Sequence, residues 1–267
     1  MNVAKAHAYG NDFLFVPADE AEGLALDQLS RRLCERYTGV GGDGVIFYTA
    51  APDGTARMRL LNADGSPSEL SGNGLRCLAA LILHQRGTEA EPLTTLRVDT
   101  DAGWKTLTLA GRTGSRYTFR AAMGAPERIT QETLQIAGEP LEVVIMTMAN
   151  PQCVTLVPDL PDRARFERLG PALATHPRFA AGTNVEFAVV DAPNRVRILI
   201  WERGVGPTHA SGTGACASAV AAAVAGGAGR DIDVEAPGGT QRVEWRDDGV
   251  YLTGWAEVLF EGHWVPR

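Results

Sequence analysis

The sequence predicts an α/β (α+β) protein of two pseudo-symmetric domains, each a mixed β-sheet or half-barrel wrapped around one central apolar helix. Three observations predict it. The chain matches itself at an offset of about 140 residues, the signature of a duplicated unit. Short apolar or alternating runs punctuated by turn signals fill both halves. Each half also holds one stretch of helical length that is apolar on nearly every face, and such a helix must be enclosed. A chain of 267 residues, 45% hydrophobic and 21% charged, has enough apolar surface for two small cores.

The repeat is read from four landmarks in one order. Gly41-Gly42-Asp43-Gly44-Val45-Ile46-Phe47 aligns with Ala181-Gly182-Thr183-Asn184-Val185-Glu186-Phe187, and Arg57 to Asn62 aligns with Arg197 to Glu202. Ser71-Gly72-Asn73-Gly74 meets Ser211-Gly212-Thr213-Gly214 at the same offset, and Asn11 and Asn150 stand 139 apart. The domains are therefore placed at 1–116, with the strand 257–267 as a candidate addition, and at 117–256.

Strand length and β-branched content mark Thr106 to Leu109, Leu141 to Met146, Val185 to Val190 and Val196 to Trp201. Turn signals stand between such runs at Pro52-Asp53-Gly54, Asp64-Gly65, Ala192-Pro193-Asn194 and Pro237-Gly238-Gly239. Helices are expected at Leu75 to Arg86, with Gly87 as its C-cap, and at Ala215 to Ala225, which carries no charge.

Composition narrows the function. The net charge is −7 and the basic residues are scattered without a run, which argues against nucleic acid or an anionic membrane as partner. Met1 to Phe13 is too polar for a secretory signal, so a cytoplasmic location is expected. Cys34, Cys77, Cys153 and Cys216 are too few and too far apart for a disulfide framework or a zinc site, so reduced thiols and no metal are expected. The apolar part of the charge-free stretch Gly204 to Gly229 falls short of the ~20 residues that span a bilayer.

Serine is a favoured N-cap, and the glycines behind it leave backbone N–H groups uncovered, so both Ser-Gly-x-Gly segments are ready anion sites. Plain capping is the simpler reading of either one. Twinning favours more: two helix starts aimed at the junction of the halves would bind a carboxylate and could act on one carbon from both faces. Gly212-x-Gly214-x-x-Ala217 also fits a dinucleotide fingerprint, with Asp231 or Asp233 downstream, but a loop rather than a strand precedes it.

His7-Ala-Tyr-Gly-Asn11, Asn62-Ala-Asp-Gly-Ser66, Ser71-Gly-Asn-Gly-x-Arg-Cys77, Asn150-Pro-x-Cys153, Gly182-Thr-Asn184 and Trp201-Glu-Arg-Gly204 with Ser211-Gly-Thr-Gly-Ala-Cys216 together resemble the diaminopimelate epimerase family. The resemblance runs through nearly the whole chain. It implies a pyridoxal-independent racemase fold with substrate between two domains, no cofactor, a small amino-acid substrate, and interconversion of LL- and meso-diaminopimelate for lysine and peptidoglycan synthesis. It also implies a homodimer. Carried across by position, Asn11, Asn62, Asn150 and Asn184 would hydrogen-bond the substrate, and Glu202 and Arg203 would hold its distal amino and carboxylate ends. Gly72, Asn73, Gly212 and Thr213 would cradle the reacting carboxylate with backbone N–H groups. For Asn62, ahead of Ala-Asp-Gly, turn formation is the rival reading.

The family pattern puts a catalytic cysteine at each helix start, where this chain has Ser71 and Ser211. It also puts histidine at Gln152 and glutamate at Pro207. A cysteine-to-serine pair made to trap substrate would account for the serines but not for Gln152 or Pro207, so natural divergence is the better reading. Cys77 and Cys216 lie about 240° and 140° around the helix from the serines and do not share their face. Three functions stay open: an epimerase in which the serines exchange protons or relay them through water, a lyase or tautomerase using one base from among Asp43, Glu202 and His209, and an amino-acid-binding protein without chemistry.

Overall fold

The computed structural model describes residues 1–87 and 93–265, and the chain divides into two compact units, Met1–Ala121 with Gly254–Arg267, and Ala122–Thr253. The first unit runs β1 (Asn2–Ala8), β2 (Asn11–Pro17), α1 (Leu26–Cys34), β3 (Gly44–Ala50), β4 (Thr55–Asn62), β5 (Pro67–Ser68), α2 (Gly72–Arg86), β6 (Thr95–Asp99), β7 (Lys105–Thr113) and β8 (Arg116–Gly124). The second runs β9 (Glu127–Ile136), β10 (Glu139–Met148), β11 (Asn150–Leu156), α3 (Arg163–Ala174), β12 (Asn184–Ala192), β13 (Arg195–Glu202), β14 (Gly206–Thr208), α4 (Gly212–Ala225), β15 (Asp231–Ala236), β16 (Gly239–Arg246) and β17 (Gly249–His263). Strands β8 and β17 each start in one unit and end in the other.

The two units use one strand plan. In the first, β1 and β2 are antiparallel, β2 and β3 parallel, β3 and β4 antiparallel, and β4 runs parallel to β6. In the second, β10 and β11, β11 and β12, β12 and β13, and β13 and β15 repeat those relations in order. The parallel step from the fourth strand of each set, β4 to β6 or β13 to β15, is bridged by a central helix, α2 or α4. In the first unit β6 continues to β7 and β7 to β8, β8 pairs with β17, and β17 returns to β1, which closes the sheet.

Period-two alternation sorts the side chains. Phe13, Phe15 and Ile46 point to the opposite face of β2 and β3 from Leu14, Val16, Val45 and Phe47, which pack under α1 with Leu29 and Leu33. In the second unit Val144, Met146, Met148, Val154 and Ala188 face α4, while Leu141, Val143, Cys153, Val185 and Phe187 face α3. The central helices match the expectation that a helix without a polar side is enclosed. All of Leu75 to Leu83 in α2 is buried, as is all of Gly214 to Ala222 in α4.

Both central helices begin three residues before the expected starts, at Gly72 and Gly212, because the Ser-Gly-x-Gly segment is the first turn. Gly87, with φ 70°, ends α2 as expected, its N–H donating to the carbonyl of His84. The outer helices α1 and α3 escape the apolar-helix criterion. Helix α1 buries only one stripe, and α3 contains Gly170 and Pro171, which read as a breaker. Gly170 is needed there: a Cβ would lie 2.7 Å from the Trp201 ring.

Alanine dominates α4 because the strands approach it closely, so added volume should be resisted. Ala221→Leu, at a fully buried position, is expected to cost about 1–3 kcal/mol, read as a lower urea midpoint with an unchanged slope.

Candidate functional site

Each central helix starts in the same way. Ser71 and Ser211 have extended backbone (φ −125°, ψ 122° and φ −135°, ψ 128°), and each is a true N-cap. The Ser71 Oγ accepts from the Gly74 N–H at 3.1 Å, and the Ser211 Oγ accepts from the Gly214 N–H at 3.2 Å. Their carbonyls take the next bonds, from Leu75 at 2.8 Å and Ala215 at 3.0 Å. The N–H groups of Gly72, Asn73, Gly212 and Thr213 come before any carbonyl that the helix could offer them, so both starts carry the positive end of a helix dipole.

The second glycine of each motif, Gly74 or Gly214, stands where a side chain would crowd its neighbours. A Cβ on Gly74 would stand 2.9 Å from Ile46 Cδ1, and one on Gly214 would stand 2.5 Å from Glu186 Oε1. The first glycine differs: a Cβ on Gly72 would meet nothing closer than Arg76 Nη1 at 4.0 Å, so its space is open. Ile46 and Glu186 are repeat-related, 140 residues apart, and lie beneath the two helix starts.

In the first unit a one-way chain of hydrogen bonds runs behind the Ser71 turn. Buried Arg76 donates to Asn73 Oδ1 at 2.5 Å, Asn73 Nδ2 to Asn11 Oδ1 at 3.2 Å, and Asn11 Nδ2 to Asp43 Oδ2 at 2.7 Å. Asp43 also accepts from the Asp12 N–H and from Arg36. Burial alone would raise the Asp12 carboxyl, but hydrogen bonds from Arg36 and Lys5 hold it below the usual carboxylate range. Asn62 stands apart: it is exposed, and its amide donates to Ser66 Oγ at 3.0 Å within the turn between β4 and β5.

In the second unit Asn150, Asn184 and Thr213 converge on Gln152, which is fully buried. Gln152 and Asn184 are paired across the parallel β11 and β12 strands. Asn184 Oδ1 accepts from the Arg203 N–H at 2.9 Å, and Arg203 Nη1 donates to the Ala181 carbonyl at 3.0 Å, which fixes the loop after β13. Glu202, at the end of β13, is half-buried. One end of the Gln152 amide lies 3.0 and 3.2 Å from the Glu186 oxygens, and the other lies 3.0 Å from Thr213 Oγ1.

Glu186 was missed by sequence reasoning, as was Arg76. Its carboxyl is entirely buried, and that burial, with the nearby negative charge of Glu202 adding to it, raises its pKa well above the ordinary glutamate value. The signal was present in β12: Glu186 is an acid at a fully buried position within the run Val185 to Val190, whose other residues are apolar. Among the expected bases, Asp43 is committed to three donors and His209 is exposed. Cys77 and Cys216 are buried in helix packing, and burial pushes the Cys77 thiol far up. No group of His, Cys, Asp and Glu that could hold a metal ion occurs among the described residues.

A family model described as diaminopimelate epimerase matches residues 3–129 and 144–259. The chain is 42% identical to the diaminopimelate epimerase of Desulforudis audaxviator, covering 99% of each protein. It is 41% identical to that of Desulfitobacterium hafniense, over 98% of this chain and 97% of the relative. A phenazine biosynthesis protein of the PhzF family from Bacillus anthracis shares the fold, with a TM-score of 0.70 at 17% identity over 100% of this chain and 99% of that one.

Two outcomes follow from this geometry. Gly214→Ala is expected to cost about 1–3 kcal/mol because its Cβ would stand 2.5 Å from the buried Glu186 Oε1 and 3.1 Å from Ser211 Cβ, whereas Gly72→Ala should leave the urea midpoint unchanged or raised, since alanine favours helix. The raised carboxyl of Glu186 means that the folded chain holds a proton that the unfolded chain releases. Its stabilising contribution is therefore complete below the ordinary glutamate pKa and is lost as pH rises toward the native value. Glu186→Gln removes that linkage, so the variant should gain stability relative to the parent as urea melts are repeated from pH 5 to pH 8.

Proposed function

The chain belongs to the diaminopimelate epimerase family, and from that premise we propose that it interconverts LL- and meso-diaminopimelate by cofactor-independent transfer of the α-proton. The observation that carries this reading is the duplicated helix start, a capping serine at the positive end of an enclosed helix, within a family match that spans the chain. In the proposal the N–H groups of Gly72, Asn73, Gly212 and Thr213 hold the reacting carboxylate, where negative charge grows as the α-proton leaves. Asn11, Asn150 and Asn184 orient the rest of the substrate, and Glu202 and Arg203 recognise its distal amino and carboxylate groups. Asn62 assists only when its bond to Ser66 opens.

Ser71 and Ser211 exchange the proton, one taking it and the other returning one, each directly or through a water molecule. A helix start favours a nearby anion by about 0.3–2 kcal/mol, which at about 1.36 kcal/mol per unit shifts a pKa by about one unit. That brings a thiol to working pH but leaves a serine hydroxyl neutral. The serines therefore act as neutral relays that take one hydrogen as they give up another. The same reading places the protein in the cytoplasm, where its four unbridged, buried cysteines stay reduced, and carries a homodimer with it.

Incubation with LL-diaminopimelate in heavy water tests the proposal. Deuterium is expected at the α-carbon together with meso product, and Ser71→Ala and Ser211→Ala should each lower turnover by about 100-fold or more. Ser71→Cys with Ser211→Cys should raise it above the parent. Absence of exchange at high enzyme concentration excludes the reading.

A further inference from the structure

We propose that Asp43 is a positioning residue for substrate binding: together with Arg76 it fixes the amide of Asn11 so that Asn11 offers the substrate a hydrogen rather than its oxygen, and the group recognised there is a carboxylate oxygen. The inference rests on the substrate-binding role given to Asn11 under the proposed function and states which way that residue acts.

An asparagine amide can be turned end for end with little change of shape, and its partners decide which end carries the hydrogens. Around Asn11 the partners leave one choice. Both oxygens of Asp43 are taken by donors: Oδ1 by Arg36 at 2.8 Å, and Oδ2 by the Asp12 N–H at 3.0 Å and by Asn11 Nδ2 at 2.7 Å. A carboxylate held in this way only accepts, so the end of Asn11 that faces it must be nitrogen. Arg76, at the other end, only donates. It bonds to Asn73 Oδ1 at 2.5 Å, which turns Asn73 Nδ2 toward Asn11, and Asn11 Oδ1 accepts from that nitrogen at 3.2 Å. One charged end cannot accept and the other cannot donate, and both dictate the same direction.

The backbone beneath Asn11 is held as well. Tyr9 and Gly10 turn from β1 into β2 with φ of 57° and 87°, a region that residues other than glycine seldom adopt. Tyr9 is clamped there: its hydroxyl accepts from the Trp255 N–H at 3.1 Å, and its ring centroid lies 4.4 Å from that of Trp255. Asn11 opens β2 opposite Ala8, so its side chain leaves a fixed turn. The charged chain adds the sense of the amide.

With those two bonds made, Asn11 has one Nδ2 hydrogen and one Oδ1 lone pair left. Once a substrate displaces water, a hydrogen without an acceptor costs more than an unused lone pair. Diaminopimelate offers acceptors only through its carboxylates, because both amino groups are protonated near neutral pH and can only donate. The remaining hydrogen therefore pairs with a carboxylate oxygen.

Four variants separate this role from a structural one, read as KM in turnover and as Kd for diaminopimelate by calorimetry. Asn11→Asp is nearly the same size and keeps an oxygen for Asn73 but has no hydrogen to offer. Its KM and Kd are expected to rise by about tenfold or more, at least as far as in Asn11→Ala, with kcat within about threefold of the parent. Asp43→Asn has one oxygen for three donors and lets the Asn11 amide turn, so it should raise both constants in the same direction. Asn11→Asp combined with Asp43→Asn again sets an amide against a carboxylate. Part of the urea midpoint lost in Asn11→Asp should return, while KM and Kd stay raised. Constants at or below the parent's in Asn11→Asp, or restored in the exchanged pair, overturn the proposal.

A second readout needs neither turnover nor ligand. In isotope-labelled protein the two Nδ2 hydrogens of Asn11 should differ by nuclear magnetic resonance, one protected from exchange with water by Asp43 and the other not, and the protection should be lost in Asp43→Asn. Equal exchange of both hydrogens in the parent overturns the proposal. Unequal exchange in a parent that neither binds diaminopimelate nor exchanges its α-proton supports the fixed amide and overturns the epimerase reading instead.

Discussion

A helix without a polar side must be kept from water over most of its length. Helix α4 has no charge over fourteen residues and is buried from Gly214 to Ala222, and α2 is buried from Asn73 to Leu83, so each must be enclosed over that stretch. Enclosure hides the flanks of the helix and leaves its ends as the places where backbone donors lack partners. The requirement for a buried helix thus creates, in each unit, one N-terminus whose first N–H groups no helix carbonyl reaches, beside a capping hydroxyl. The strand plan, the short turns and the closing pairs of β17 all serve that enclosure. The chemistry occupies the one part of the helix that enclosure cannot satisfy.

Duplication gave both units this device, but the residues beneath the two helix starts have diverged. Ile46 fills the space under Gly74 with a methyl group, and Glu186 fills the matching space under Gly214 with a carboxyl. Burying an unpaired carboxylate would be costly, and a carboxyl that stays protonated avoids most of that cost. The neighbours reflect the difference. Around Ser71 a buried arginine begins a chain in which each donor and acceptor is fixed, ending on an aspartate that Arg36 neutralises. Around Ser211 the links are an amide, a hydroxyl and an acid, each able to act as donor or acceptor.

The duplicated plan was legible in the sequence because it rests on periodicity and on two glycine motifs whose spacing survives without structure. The central helices were legible for the same reason, down to the cap at Gly87. Helix α3 was not, since Gly170 and Pro171 carry a local signal for breakage that packing against Trp201 overrides. The serine caps and the asparagines of the two halves could be named from their motifs. Whether an amide faces a ligand or its own turn is decided by neighbours, and Asn62 turned inward on Ser66 while Asn11 joined Asn73. Glu186 was hidden by its context. One acid in an apolar strand reads as an edge or an irregularity until the helix start above it is seen.

The replacement of a thiol by a hydroxyl changes what the surrounding residues must supply. A thiol near its pKa can store a proton by itself, so a helix dipole is sufficient support. A serine hydroxyl remains neutral under the same field, and it can take a proton only while giving one away. It therefore needs an adjacent group that receives the second hydrogen, and that group needs another behind it. Behind Ser211 the succession of Thr213, Gln152 and Glu186 stops for a proton at the amide, which accepts on oxygen and donates from nitrogen, so the second hydrogen has to leave to a water molecule. The Arg76–Asn73–Asn11–Asp43 chain holds the turn that follows Ser71, and that serine likewise exchanges its hydrogen with water or with the substrate. On this argument both serines exchange hydrogens with water at the helix starts, and the units differ in what is buried beneath those starts, a methyl group in one and a carboxyl in the other.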